Sequence, residues 1–104
     1  MEWVEWFGVL WYKKGMENMR DTEKILKALA NRRRLAILRY LKRNKEAPVG
    51  EIAGEIHLSF RATSKHLGIL AAVDIVEKDQ RSLQMFYRLA DNQKLPARHI
   101  ISLL

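Results

Sequence analysis

The stretch from residue 51 to residue 73 constrains the fold more than any other. Residues 51–56 read as a short helix and His57-Leu58-Ser59 as a tight turn. Residues 60–73 read as a longer helix, with Ser59 placed to cap its first turn through the hydroxyl. At about 100° per residue, Ala62, Thr63, His66, Leu67, Ile69, Leu70 and Val73 fall on one side of that helix. Phe60, Arg61, Ser64, Lys65 and Gly68 fall on the other, and no carboxylate follows until Asp74. The outward side is short, hydroxylated and cationic. A helix set into the major groove of duplex DNA needs short residues for close approach, donors for phosphates and base edges, and nothing that repels phosphate. Two helices at this spacing make a helix-turn-helix, and the second is a recognition-helix candidate.

Charge points the same way. The 104 residues carry 19 Lys and Arg against 12 Asp and Glu, a net charge of +7. Such a surplus on one small domain favours a polyanionic partner. No cysteine is present, which removes disulfides, thiolate metal sites and thiol redox sensing, and suits a cytoplasmic protein. No run approaches the roughly 20 apolar residues of a membrane span. The apolar start is broken by Glu2 and Glu5 and lacks the marks of a signal peptide.

The flanks complete a single domain spanning residues 1–104. Residues 1–15 form a densely aromatic segment in which Trp3, Phe7 and Leu10 share a helical stripe, with Trp6 beside it and Trp11 widening the face. That much aromatic area must be covered. A subunit partner, a membrane interface, or an unstructured start preceding Met16 or Met19 are the open readings. Lys13-Lys14-Gly15 reads as the end of this helix. Asp21 reads as the N-cap of the next helix, and Asn31 as the cap of a third that begins with Arg32-Arg33-Arg34. Those arginines make either a solvated face or a phosphate contact. Pro48 closes the connecting loop.

Beyond the recognition helix, Asp74 stands where a left-handed turn residue is needed. Residues 75–78 then read as a strand and 79–82 as a turn. Residues 83–89 form a half-buried strand with Leu83, Met85, Tyr87 and Leu89 on one face. Two strands behind a helix-turn-helix make a β-wing, with Lys78 and Arg81 as its cations. Residues 96–104 form a last helix opened by Pro96, apolar at Ile100, Ile101, Leu103 and Leu104. The expected fold is therefore mostly α with a small β-wing around a core at 21–89. The two terminal helices meet a second copy through Trp3, Trp6, Phe7, Leu10, Trp11, Ile100, Ile101 and Leu104.

Leu29-Ala30-Asn31-Arg32-Arg33-Arg34-Leu35-Ala36-Ile37-Leu38, Glu51-Ile52-Ala53, Ser64-Lys65-His66-Leu67, Val76-Glu77-Lys78 and Tyr87-Arg88-Leu89 together resemble the winged-helix regulators of the ArsR type. The resemblance spans about residues 25–89. It implies a homodimeric regulator of transcription that binds double-stranded DNA, with repression as the expected direction. The recognition helix would enter the major groove and the wing around 79–82 would touch the flanking backbone. Ser59, Phe60, Arg61, Ser64, Lys65, Gly68, Lys78 and Arg81 are the candidate DNA contacts. The chain departs from the family's metal sensors. Ala47-Pro48-Val49-Gly50-Glu51 holds no sulfur where many carry a Cys-x-Cys pair. Asp91 and His99 echo a zinc-type ligand set, but Gln93 and Ser102 stand where further ligands are wanted. No metal and no cofactor is expected. Asp74 replaces the usual turn glycine, and Thr63 occupies an inward position that is usually aliphatic.

Two other classes compete. A winged-helix module that binds another protein would explain the large apolar Phe60 on the outward face. An enzyme would need a phosphate-cradling glycine loop, a His-Glu-x-x-His or a nucleophile motif, and none is present. Glu51 and Glu55 are solvated helix charges, and His66, within the apolar face, reads as a packed, hydrogen-bonded histidine.

Overall fold

The protein is described from a computed structural model covering residues 2–104, with side chains from Gly8 onward apart from Lys14 and Glu17. In chain order it comprises α1 (Glu2–Leu29), α2 (Arg32–Asn44), β1 (Glu46–Pro48), α3 (Val49–Glu55), α4 (Phe60–Ala72), β2 (Val76–Arg81), β3 (Gln84–Leu89) and α5 (Leu95–Leu103). The strands form one antiparallel sheet in the order β1-β3-β2. The expected mostly helical, winged helix-turn-helix fold is the one observed.

Each helix contributes an apolar stripe to one core. Ile37, Leu38 and Leu41 of α2 meet Ile52 of α3, Leu67 and Leu70 of α4, and Ile75 and Tyr87 of the wing. Ile25, Ala28 and Leu29 close it from α1, and Ala97 and Ile101 from α5. Burying each large aliphatic side chain stabilises by about 1.5–3 kcal/mol, so this cluster holds the wing and the helix-turn-helix as one body.

Four expectations need correcting. The first helix does not end at Lys13-Lys14-Gly15, nor does Asp21 cap a second; α1 runs unbroken through both. Gly15 costs a helix interior only about 1 kcal/mol, too little to break a run of good helix formers. Thr22, next to Asp21, donates to the Asn18 carbonyl four residues back, as in a helix interior. Residues 46–48 are a third strand rather than loop, pairing Ala47 with Tyr87. At three residues, and ending in a proline tolerated on an edge strand, β1 leaves no alternating pattern to read. The hairpin turns at Ser82-Leu83, so Leu83 sits at its tip, 96% exposed, rather than in a half-buried strand. Ser82 takes the left-handed conformation there (φ 54°). Ile69 is an exposed residue of α4, because the buried face centres on Thr63, Leu67 and Leu70.

The N-terminal half of α1 projects. The Cα radius of gyration is 17.4 Å, against about 13 Å for a globular chain of this length, and the longest dimension is 62 Å. Val9, Leu10, Trp11 and Tyr12 are exposed along it, and Met16 and Met19 just beyond it. Trp3, Trp6 and Phe7, expected at an interface between copies, lie outside the described side chains. Ile101 is spent inside the chain's own core, while Ile100 and Leu104 are half-buried against it.

Asn31 caps α2, its Oδ1 accepting from the Arg33 and Arg34 amides at 2.9 and 3.1 Å. Arg34 then donates to the Lys27 and Ala28 carbonyls, the last turn of α1, and to Nδ1 of His66 on α4 at 3.2 Å. A guanidinium only donates, so His66 presents its Nδ1 lone pair and carries its proton on Nε2. Burial first, and then the charges of Arg34, Lys65 and Arg33, hold the His66 pKa below its usual value. The unfolded chain therefore takes up a proton near the ordinary value of about 6.5, while the folded chain resists it. Stability should fall as pH drops from about 7.5 to about 5.5, and His66→Gln, which keeps an acceptor without titrating, should flatten that slope. Denaturant midpoints across this range measure it; equal slopes in both proteins would contradict the assignment.

Candidate nucleic-acid interface

The turn between α3 and α4 is built to end one helix and start the next within four residues. Ile56 and Leu58 donate to the Ile52 and Ala53 carbonyls, each at 3.0 Å. His57 sits in the left-handed region (φ 54°), which His enters more readily than most residues. The orphan carbonyl of Ile56 accepts from the Arg33 guanidinium at 2.9 Å. Ser59 is extended, and its Oγ accepts from the Ala62 amide at 3.1 Å, the cap expected of it. Thr63, fully buried, donates its hydroxyl to the Ser59 carbonyl at 2.8 Å, which is how a polar side chain is accommodated at an inward position.

With Thr63, Leu67 and Leu70 turned inward, the outward face of α4 centres on Arg61, Lys65 and Gly68. Arg61 and Lys65 are exposed, and no described carboxylate pairs with either. Ser64 is half-buried at the edge, and Phe60, 62% exposed, stands at the helix start. A Cβ built on Gly68 meets nothing within 4 Å. The glycine is thus not required by packing within the chain, and it leaves bare backbone on the face.

The wing is braced rather than loose. Arg81 is held by both oxygens of Glu46 at 2.8 Å and by Asp79 at 2.9 Å, and lies 4.5 Å above the Phe86 ring centroid. The same contact holds the Glu46 carboxyl below its usual range. Arg88 pairs with Glu77 across the strands at 3.0 Å. Arg81, expected to be a wing contact, is therefore occupied by two carboxylates, whereas Lys78 is exposed and has no described partner. Asp74 adopts the left-handed turn expected of it (φ 59°). Gln93 holds that corner by donating to the Ile75 and Ala90 carbonyls at 2.7 and 2.9 Å.

The arginine run divides in two. Arg33 and Arg34 are tied to backbone carbonyls, so their work is structural, and Arg32 alone is exposed without a described partner. Nothing in the periodicity distinguishes the three, because the carbonyls that Arg33 and Arg34 satisfy lie at the ends of other helices. Among the described residues no three His, Asp or Glu side chains converge on a metal-sized site. No described helix is long and apolar enough to cross a membrane.

Comparison with known proteins agrees with this geometry. The family model described as bacterial regulatory protein, arsR family, matches residues 31–78, which run from the α2 cap into the wing. The chain is 37% identical over 90 residues to the transcriptional activator HlyU of Vibrio cholerae, covering 79% of this chain and 82% of that one. The structure of reduced HlyU from Vibrio cholerae superposes with a TM-score of 0.73 at 33% identity, covering 88% of this chain and 93% of that one. The homodimeric winged helix-turn-helix DNA-binding domain from Mycobacterium bovis gives 0.75 at 27% identity, covering 86% and 80%. Identity at this level across four-fifths of both chains, carried on the same winged helix-turn-helix, places the chain in the arsR family of bacterial regulatory proteins.

Proposed function

We propose that the chain is a homodimeric, sequence-specific DNA-binding regulator of transcription that acts in the cytoplasm without a catalytic step. The observation that carries this reading is the outward face of α4. It is cationic, has no described carboxylate partner, is capped by Ser59 and is held rigidly from beneath by Thr63 and Arg34. Arg61 and Lys65 reach base edges and phosphates, and Ser59 and Ser64 donate to the backbone at the edges. Gly68 allows the helix to approach closely, and Lys78 touches the flanking strand. Arg81 joins them only by giving up its carboxylate fork, so it contributes less. The projecting apolar half of α1 supports association with a second copy. The direction of regulation follows from where the bound site lies relative to the promoter, and the relative named an activator shows that repression is not the only outcome on this fold.

Phe60 favours one second reading, a module that binds another protein through the same helix. A pull-down that recovers one stoichiometric protein partner, together with no retention on DNA at low salt, would favour it over the first.

On the DNA-binding reading, Arg61→Ala or Lys65→Ala should each weaken specific binding ten- to a hundredfold, about 1–3 kcal/mol, with the circular dichroism unchanged. Any of the two that contacts phosphate should also lower the salt slope of binding by about one. Fluorescence anisotropy on specific and scrambled duplexes at two salt concentrations measures both effects.

Gly68→Ala separates stability from binding. Alanine should raise helix stability by about 0.5–1 kcal/mol, because its methyl meets open space within the chain. The same methyl should weaken DNA binding if the backbone meets the groove there. A variant that melts higher and binds equally well would remove Gly68 from the contact face.

A further inference from the structure

A cleft of about 400 Å³ lies between α2 and the end of α3, and of the contacts described above only the Arg33 bond to the Ile56 carbonyl lies on its wall. Arg32, Arg33, Arg39 and Arg43 line it from α2, with the Tyr40 ring among them and His57 on the opposite wall. Glu55 is the one carboxylate on its lining. Tyr40 is turned toward α3 by a hydrogen bond from its hydroxyl to Glu51, which pushes the Tyr40 pKa up to about 12. That bond uses the Glu51 carboxylate within the protein and leaves the arginines facing open space.

These cations are costly to keep together. The thirteen residues of α2 include five arginines and Lys42, with no acidic residue among them. Arg39 and Arg43 are one helical turn apart, a spacing at which like charges destabilise a helix. Arg32 sits in the first turn, where the helix dipole opposes a cation. Elsewhere on α2 the cations are accounted for. Arg34 and Lys42 satisfy the last carbonyls of α1 and α5, and Arg33 gives one nitrogen to Ile56. Arg32, Arg39 and Arg43 have no described partner, are exposed, and all turn toward the same concave space. A guanidinium cluster at the mouth of a cleft this size suits a bidentate-accepting anion, and the volume falls in the range of small-molecule sites.

We propose that this cleft binds a small phosphate-bearing molecule, its charge neutralised chiefly by Arg39 and Arg43. The site adjoins the helix-turn-helix, because Arg33 on its wall also holds the carbonyl that ends α3. Occupancy therefore changes the electrostatics at the root of the turn that sets α4. This last consequence rests on the DNA-binding reading; the binding itself does not.

The test uses the full chain without DNA. Inorganic pyrophosphate is titrated by calorimetry at constant ionic strength, against the wild type, Arg39→Gln/Arg43→Gln, and a control, Lys24→Gln/Arg98→Gln, that removes the same charge elsewhere. Saturable binding of one pyrophosphate per chain, at least tenfold weaker in the cleft variant and unchanged in the control, is the expected result. The cleft variant relieves like-charge repulsion within α2, so its melting temperature without pyrophosphate should equal or exceed that of the wild type. Equal weakening in both variants, or no saturable binding to the wild type, overturns the proposal. If the wild type ignores pyrophosphate while the cleft variant loses duplex affinity with a salt slope lowered by about two, the phosphates belong to DNA and the free ligand is ruled out.

Discussion

Arg34 reaches from the first turn of α2 to the closing carbonyls of α1, at Lys27 and Ala28, and to the ring of His66 on α4. This guanidinium ties the helix that projects from the domain to the helix that presents Arg61 and Lys65. It is half-buried, so its contacts are made in a medium less screened than water. His66 must remain a neutral acceptor for the arrangement to hold. The position of the outward face of α4 thus depends on an interaction made on its inward side.

Net charge alone does not separate the cations that brace this fold from those that face outward on the helix-turn-helix and the wing. Arg33, Arg34 and Lys42 close the ends of α3, α1 and α5 by donating to carbonyls of their last turns and caps. Arg81 stiffens the wing against Glu46, Asp79 and Phe86. Arg61, Lys65 and Lys78 project from α4 and β2 without a described partner. The first group fixes the backbone that carries the second, so that binding a partner needs to order only the exposed side chains.

The helix-turn-helix was legible because its signals are local. Ser59 sits one residue before an apolar periodicity, and the outward positions lack acids over more than three turns. The wing hairpin was legible from the alternation around Tyr87. What escaped reading depends on distant partners. β1 exists because Ala47 pairs with Tyr87, forty residues on. Ile69 is exposed because the core is centred on Leu67 and Leu70, a matter of which helices pack beneath α4. The continuity of α1 escaped for a different reason. Gly15 is a weak breaker, and its neighbours outweigh it.

In the proposed dimer two copies of α4 read one duplex. Hydroxyl-radical footprinting of the protein on the DNA upstream of its own gene tests this most directly. Two protected half-sites related by a two-fold axis, about one helical turn apart, are expected. A single unpaired protection, or equal protection of a scrambled duplex, would contradict it.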